Sequence, residues 1–347
     1  MDISIVIMWL GFTFAAYSVV GNDVIQTLGT FLTSNEKKVK WWILWLFAAG
    51  ILSMTLLYGW YNGDIAYGRL DKFTPPDIYH WYYLLPPLVL LLITRSGIPV
   101  STTFMVLTLF SLSNIPSELP AMISSVFDTD QKLGGMIQKS LIGYMIAFSS
   151  GIIFYLLITR LTEKRFLENP ITESQTKVWI VAQWLTTGFL WTQWLTQDLA
   201  NIYIYLNAGR GLTTIEFVIS FLIIIGLLAY IFYNKGGAVQ DVVRTKTNTT
   251  DIRSATFIDL IYGIILYTFK ENYLGLFEAK LPMSTTWVFI GLLAGREIGL
   301  QINLHRKLNG VVTKMILMDL LKVFFGLIVS VLLVLSLIHI SEPTRPY

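Results

Sequence analysis

The chain has 347 residues, 54% of them hydrophobic and 14% charged, with 3 His, no Cys and a formal net charge of +3; its mean hydropathy is +0.61. Soluble domains carry about 25% charged residues, so these figures argue against an enzyme built for water and place the apolar excess in lipid. Without cysteine there is no disulfide staple or thiolate metal site, three histidines do not make a multi-His metal site, and the small, dispersed charge offers no basic stripe to nucleic acid.

A helix crossing the hydrocarbon core needs about 20 apolar residues. The chain offers about ten such segments, near 3–33, 41–61, 80–94, 99–113, 136–159, 177–206, 214–233, 257–273, 283–299 and 311–334. The first begins with Asp2 instead of a basic region and shows no small-x-small cleavage site, so it is expected to stay as a span. Gly97 and Pro99 interrupt the pair near 80–113, and Pro282 the pair near 257–299, which predicts broken or re-entrant helices. Gly134-Gly135, Gly236-Gly237 and Gly209-Arg210-Gly211 read as turns. The tryptophans Trp41, Trp42, Trp45, Trp179, Trp184, Trp191 and Trp194 suit interfacial belts and packing, and His80 and His305 suit the interface. Residues 335–347 resemble the in-frame translation of a sequencing adapter and are expected to be an artefactual tail.

Lysine and arginine set the orientation. If all ten segments cross, Lys37, Lys38, Lys40, Arg95, Arg160, Lys164, Arg165, Lys177, Lys235, Arg244, Lys246, Arg253, Arg296, Arg306, Lys307 and Lys314 fall on one side, whereas Arg69, Lys72, Lys132, Lys139, Arg210, Lys270 and Lys280 fall on the other with the acidic cluster Asp64, Asp71, Asp77, Glu118, Asp128 and Asp130. The N-terminus is therefore expected outside, in a multi-pass protein of the plasma (inner) membrane. The polar stretch 160–176 separates a first transmembrane repeat, 1–159, from a second, 177–334. Five segments in each half force the halves to enter from opposite sides, the plan of two inverted-topology repeats in an all-α integral membrane protein.

The halves share landmarks. Asn22-Asp23 precedes Pro99-Val100-Ser101-Thr102-Thr103 much as Gln197-Asp198 precedes Pro282-Met283-Ser284-Thr285-Thr286. An intramembrane carboxylate is expensive unless it is paired, protonated or ligating a cation, and Asn22 and Gln197 add amide oxygens beside the two acids. Asp23 and Asp198 thus suit a hard cation or a proton; the competing use is a helix cap or a surface ion pair. A proline followed by hydroxyl residues and an apolar run reads as the start of a half-helix. Such an end favours anions, so Ser101, Thr102, Thr103, Ser284, Thr285 and Thr286 can surround an oxyanion, the competing use being plain N-capping.

Gly21-Asn22-Asp23-Val24-Ile25-Gln26-Thr27-Leu28-Gly29-Thr30 resembles the Gly-Ala-Asn-Asp-Val-Ala-Asn-Ala-Phe-Gly-Thr motif of the PiT-type inorganic phosphate transporters, and Pro99-Val100-Ser101-Thr102-Thr103 resembles their Pro-Val-Ser-Thr-Thr-His. Gln197-Asp198-Leu199-Ala200-Asn201 and Pro282-Met283-Ser284-Thr285-Thr286 repeat both. The resemblance implies an inverted-repeat carrier moving phosphate with Na⁺ or H⁺. It assigns Asp23, Asp198, Asn22 and Asn201 to the coupling ion, with Na⁺ on the two acids if sodium is coupled. The triplets, with Asn22 and Gln197, are assigned to the anion. Phe104 and Trp287 stand where the family has His, which removes proton coupling through that residue. A sulfate or other anion permease of the same fold and an uncoupled anion channel are the alternatives. No cofactor beyond the coupling ion is expected. The expected partners are the oxyanion, the lipid bilayer and a second copy of the chain in a homodimer.

Overall fold

A computed structural model describes residues 2–95, 100–111, 124, 128–159, 171–236, 252–271, 275, 282–303 and 310–341. Much of the linker, together with Gly97, Pro99, Glu118, Gly237, Arg244, Lys246 and His305, lies outside them. The helices are α1 (Ile3–Val19), α2 (Ile25–Asn35), α3 (Trp41–Tyr61), α4 (Leu85–Arg95), α5 (Thr102–Phe110), α6 (Lys132–Thr159), α7 (Glu173–Asp198), α8 (Ala200–Tyr203), α9 (Thr214–Tyr233), α10 (Ile252–Lys270), α11 (Thr285–Asn303) and α12 (Gly310–Ser341). Each predicted segment therefore holds helix. Helix α7 starts at Glu173 because Thr172 caps it in a box with Gln175. At the other end α12 continues to Ser341, past residue 334.

Among the described residues, six helical stretches are long and apolar enough to cross a bilayer, including the continuous run Ile3–Asn35. By contrast α4 has 11 residues and α5 has 9. At 1.5 Å per residue these span about 16 and about 14 Å, half of the roughly 30 Å hydrocarbon core. The interruption around Pro99 is thus a pair of half-helices.

Two helix pairs position the centre. In the second half α7 and α10 run parallel, tied by Thr187 to Asp259 and by Gln197 to the Leu266 carbonyl. Gly263 admits the ring of Phe189 and the backbone of Leu190, since a Cβ there would lie 2.7 and 3.3 Å from them. Helices α6 and α11 also run parallel, in near backbone contact. A Cβ on Gly291, Gly295 or Gly299 would come within 2.6 Å of the Tyr144 carbonyl, 2.1 Å of the Phe148 carbonyl and 3.1 Å of the Ile152 carbonyl, respectively. The Gly-x-x-x-Gly-x-x-x-Gly spacing puts the three on one face, the small-residue device by which membrane helices approach closely. Gly134 and Gly135, expected as a turn, lie instead in the first turn of α6. Their role is again clearance, for a Cβ at Gly134 would meet the Asp128 carbonyl at 2.0 Å.

The other turns form as read. Gly209 and Gly211 have φ of 75° and 61°, and Gly236 has 87°, with its N–H closing on the Ile231 carbonyl at 2.9 Å. Arg210 donates to the Leu70 carbonyl, and Asp64 and Arg210 pair backbone to backbone, so the loop after α3 is fastened to the loop before α9. Trp191 and Trp194 are buried in a stack at 4.9 Å, whereas Trp41 and Trp42 are exposed at the start of α3. Lys270 and Glu271 pair at 3.5 Å.

Candidate functional site

Both predicted acids sit where a helix is broken. Between α1 and α2 the chain makes one π-helical turn, Val20–Val24, that contains Asn22 and Asp23. Such insertions free backbone groups and redirect side chains. In the second half α7 ends at Asp198, and the chain resumes as α8 at Ala200. Asn22, Asp23, Asp198 and Asn201 are all buried.

The starts of α5 and α11 meet these breaks. Ser101 accepts the Phe104 N–H at 3.2 Å and Ser284 accepts the Trp287 N–H at 3.3 Å, so the first hydroxyl of each triplet is an N-cap. The threonines turn elsewhere. Thr102 donates to Asp23 Oδ2, and the Asn22 amide donates to Asp23 Oδ1 and to the Val100 carbonyl, each at 2.7 Å. The Thr103 hydroxyl is 3.3 Å from the Met283 carbonyl and 3.5 Å from Asp198 Oδ1, and Thr286 donates to the Val100 carbonyl at 3.3 Å. Asn201 joins the two acids' surroundings: its amide reaches Thr102 Oγ1 at 3.0 Å, Thr103 Oγ1 at 3.2 Å and Asp198 Oδ1 at 3.0 Å.

Asn22, Asp23, Thr102, Thr103, Asp198 and Asn201 therefore form one buried network, with Ser101, Ser284, Thr285 and Thr286 at its edge. The Gln197 amide points away, to the carbonyls of Gln193 and Leu266 at 3.4 and 3.3 Å. Two acceptors in the network, Asp198 Oδ2 and Asn201 Oδ1, are buried with no donor. Together with the two carboxylates they make an electron-rich pocket that a hard cation can complete. The first N–H groups of a helix lack intrahelical partners and carry the positive end of its dipole, so the starts of α5 and α11 bring positive potential to the edge of the same network. Phe104 and Trp287 meet edge to face at 5.7 Å, which fills the space next to both caps with rings.

Several contributors are not evident from the motifs. Gln26 donates to Asn22 Oδ1 at 3.3 Å, Ser140 accepts the Ser284 N–H at 2.9 Å, and Tyr262 donates to the Thr285 carbonyl at 3.1 Å. A polar residue one helical turn from the acid was the available signal for Gln26; Ser140 and Tyr262 lie too far along the chain to be linked by spacing. Arg69, in the loop after α3, is buried, and burial pulls its guanidinium down to about 10 against the opposing pull of the Asp198 and Glu271 charges. Its position in a loop gives no sequence sign that it faces Asp198.

No family model and no curated protein sequence matches the chain. A solved structure described as "The sodium-dependent phosphate transporter" superposes on 98% of this chain and 100% of its own, with a TM-score of 0.57 and 17% sequence identity. At that identity the likeness is one of fold: the described residues of this chain have the helical architecture of a multi-pass membrane protein.

Proposed function

We propose that this chain is a secondary transporter, not an enzyme, that carries inorganic phosphate or a similar tetrahedral oxyanion by symport with Na⁺ or H⁺. The observation that supports it most is the pair of donor-free oxygens, Asp198 Oδ2 and Asn201 Oδ1, inside a network that also holds Asp23 and two helix starts. In this reading the cation binds at Asp23, Asp198 and Asn201, and its charge lowers the cost of seating the anion against the N-termini of α5 and α11. Asn22 orients Asp23, and Gln197 braces α7 against α10 through the Leu266 carbonyl. No covalent chemistry is needed. The fold shared with a sodium-dependent phosphate transporter supports the same reading.

We further infer that residues 1–159 and 177–334 are inverted repeats. The matched 3.3 Å contacts, Thr103 to the Met283 carbonyl and Thr286 to the Val100 carbonyl, are those a two-fold relation would generate. From the loop charges we infer that the N-terminus lies outside; the plasma (inner) membrane and a homodimer are the proposed location and assembly.

The test is equilibrium binding of radiolabelled phosphate to the purified protein, in Na⁺ and with Na⁺ replaced by choline, in competition with arsenate and sulfate. Binding displaced by arsenate is the expected result, and its loss in choline marks Na⁺ as the coupled ion. Equal displacement by sulfate would widen the substrate class, and no saturable binding of any of the three would reject the reading.

A further inference from the structure

The Asp23–Asp198 network does not use Asp259, a further acid buried in a helix. Asp259 lies two turns inside α10 and is 1% exposed. Its Oδ1 accepts the hydroxyl of Thr30 on α2, and its Oδ2 accepts the hydroxyl of Thr187 on α7. One carboxyl therefore joins a helix of the first half to two helices of the second.

We propose that Asp259 is a proton-binding site, separate from the Asp23–Asp198 network, whose charge state fastens or loosens α2 against α7 and α10. A carboxylate at this depth needs a counter-charge, a bound cation or a proton. Among the described residues no basic side chain pairs with it. The elements packed on α10 are α2, α6, α7 and α11. Their ionisable residues are Glu36 at the end of α2, Lys132, Lys139, Tyr144 and Tyr155 on α6, Glu173, Lys177 and Asp198 on α7, and Arg296 and Glu297 on α11. On α10 itself they are Arg253, Tyr262, Tyr267 and Lys270. None of these hydrogen-bonds or ion-pairs with Asp259. Tyr262 is turned to the Thr285 carbonyl, and Arg296 to Glu297 at 2.7 Å. Two hydroxyls are also too few ligands for a metal cation, which takes six or more oxygens when it is as hard as Ca²⁺. A proton needs only one of the two.

The hydrogen bonds supply two states. With Asp259 ionised, Thr30 and Thr187 both donate to it, and two charge-assisted hydrogen bonds tie α2 and α7 to α10. When a proton from the aqueous side adds to one oxygen, the carboxyl O–H donates to the adjoining threonine, and that contact loosens to a neutral hydrogen bond about half as strong. That hydroxyl then donates to the carbonyl four residues earlier in its own helix, as Thr27, Thr33 and Ser34 already do at 3.0, 2.8 and 2.9 Å. A polar chain leads from this point to the end of α2. The Gln183 amide donates to Ser34 Oγ at 2.6 Å, and the Asn35 amide donates to Gln183 Oε1 at 2.8 Å. Asn35 Oδ1, at the end of this chain, is buried with no donor. Because α2 continues directly from the turn that holds Asp23, a change at Thr30 is felt at the network seven residues away.

That the latch governs transport rests on the symport reading above; that Asp259 binds the proton does not. The deciding measurement is infrared difference spectroscopy of the reconstituted full chain, titrated from acid to alkaline pH, for wild type and Asp259→Asn. A carboxylic C=O band that titrates in wild type and is missing from Asp259→Asn is the expected result, and the same band in both proteins overturns the proposal. Should Asp259→Asn fail to fold, Thr30→Val with Thr187→Val keeps the carboxyl and removes its partners. The band must then shift in frequency, and an unshifted band overturns the proposal. Phosphate uptake measured on the same vesicles separates the two readings: an infrared assignment that stands beside wild-type vesicles moving no phosphate rejects symport and keeps the proton site.

Discussion

The Thr103 hydroxyl donates to the carbonyl of Met283 at 3.3 Å, so the triplet of one half closes on the backbone that leads into the triplet of the other. Thr286 returns the contact to Val100 at the same distance. The starts of α5 and α11 are thus held to each other by main-chain acceptors as well as through the acids, and neither can shift alone without breaking a buried hydrogen bond.

Thr102 and Thr286 separate these two kinds of contact. Thr102→Val removes the donor to Asp23 Oδ2, leaving a buried carboxylate oxygen unsatisfied, and phosphate uptake is expected to fall by tenfold or more. Thr286→Val removes the donor to the Val100 carbonyl and a contact to Asp23 weaker than that of Thr102, a change of about 1 kcal/mol in stability. It should lower the melting temperature slightly while uptake stays within a few-fold of wild type. Initial rates and thermal unfolding of both variants in proteoliposomes decide the order.

Asn201 gives one amide to three oxygens and keeps an unpaired carbonyl. Asn201→Ala removes one oxygen of the proposed cation pocket. The half-saturating Na⁺ concentration for phosphate uptake should rise about tenfold, which is the effect of roughly 1.4 kcal/mol of lost cation binding. Maximal rate at saturating Na⁺ should change much less.

The approach of α6 and α11 predicts a contrast between glycines. Gly295→Ala forces a methyl toward the Phe148 carbonyl and should destabilise by about 1–3 kcal/mol, whereas Gly50→Ala, where a Cβ meets nothing within 4 Å, should be neutral or slightly stabilising. Melting temperatures in one detergent compare them directly.

In the loop after α3, Asp64 accepts the N–H groups of Ala66 and Gly68, the first at 2.9 Å. Asp64→Ala should cost about 1–2 kcal/mol. Beside it the Tyr67 phenol, donating to the Thr55 carbonyl at 2.6 Å, is pushed up to about 12 by burial first and then by Tyr58 and Asp64. A raised folded-state value means the neutral phenol is the stabilised form. Its contribution is complete below the unfolded value near 10 and is lost as the pH rises toward about 12. The tyrosinate absorbance of wild type minus Tyr67→Phe should therefore appear well above pH 10.

Much of this arrangement is legible in the sequence because the motifs combine two strong local signals: an acid in an apolar run, and a proline followed by hydroxyls. Asp23, Asp198 and both triplets follow from those signals alone. Asp259 does not, because the apolar run near 257–273 places it at a helix end, where an acid is unremarkable. The helix actually starts at Ile252 and carries it into the interior. Gly291, Gly295 and Gly299 show a period of four, but only the approach of α6 explains it. Gly134-Gly135 carries the same composition signal as a turn, and the difference lies in the Asp128 carbonyl pressed against it. Long-range partners such as Ser140 and Arg69 are set by packing, which local pattern does not encode.

The central claim is that Asp23 and Asp198 couple a cation to an oxyanion. Uptake of ³²P-phosphate into proteoliposomes, under an imposed inward Na⁺ or H⁺ gradient, tests it on wild type, Asp23→Asn and Asp198→Asn. Wild-type uptake should be driven by one of the two gradients and be lost in both variants. Uptake indifferent to both gradients, or undiminished in either variant, would contradict it.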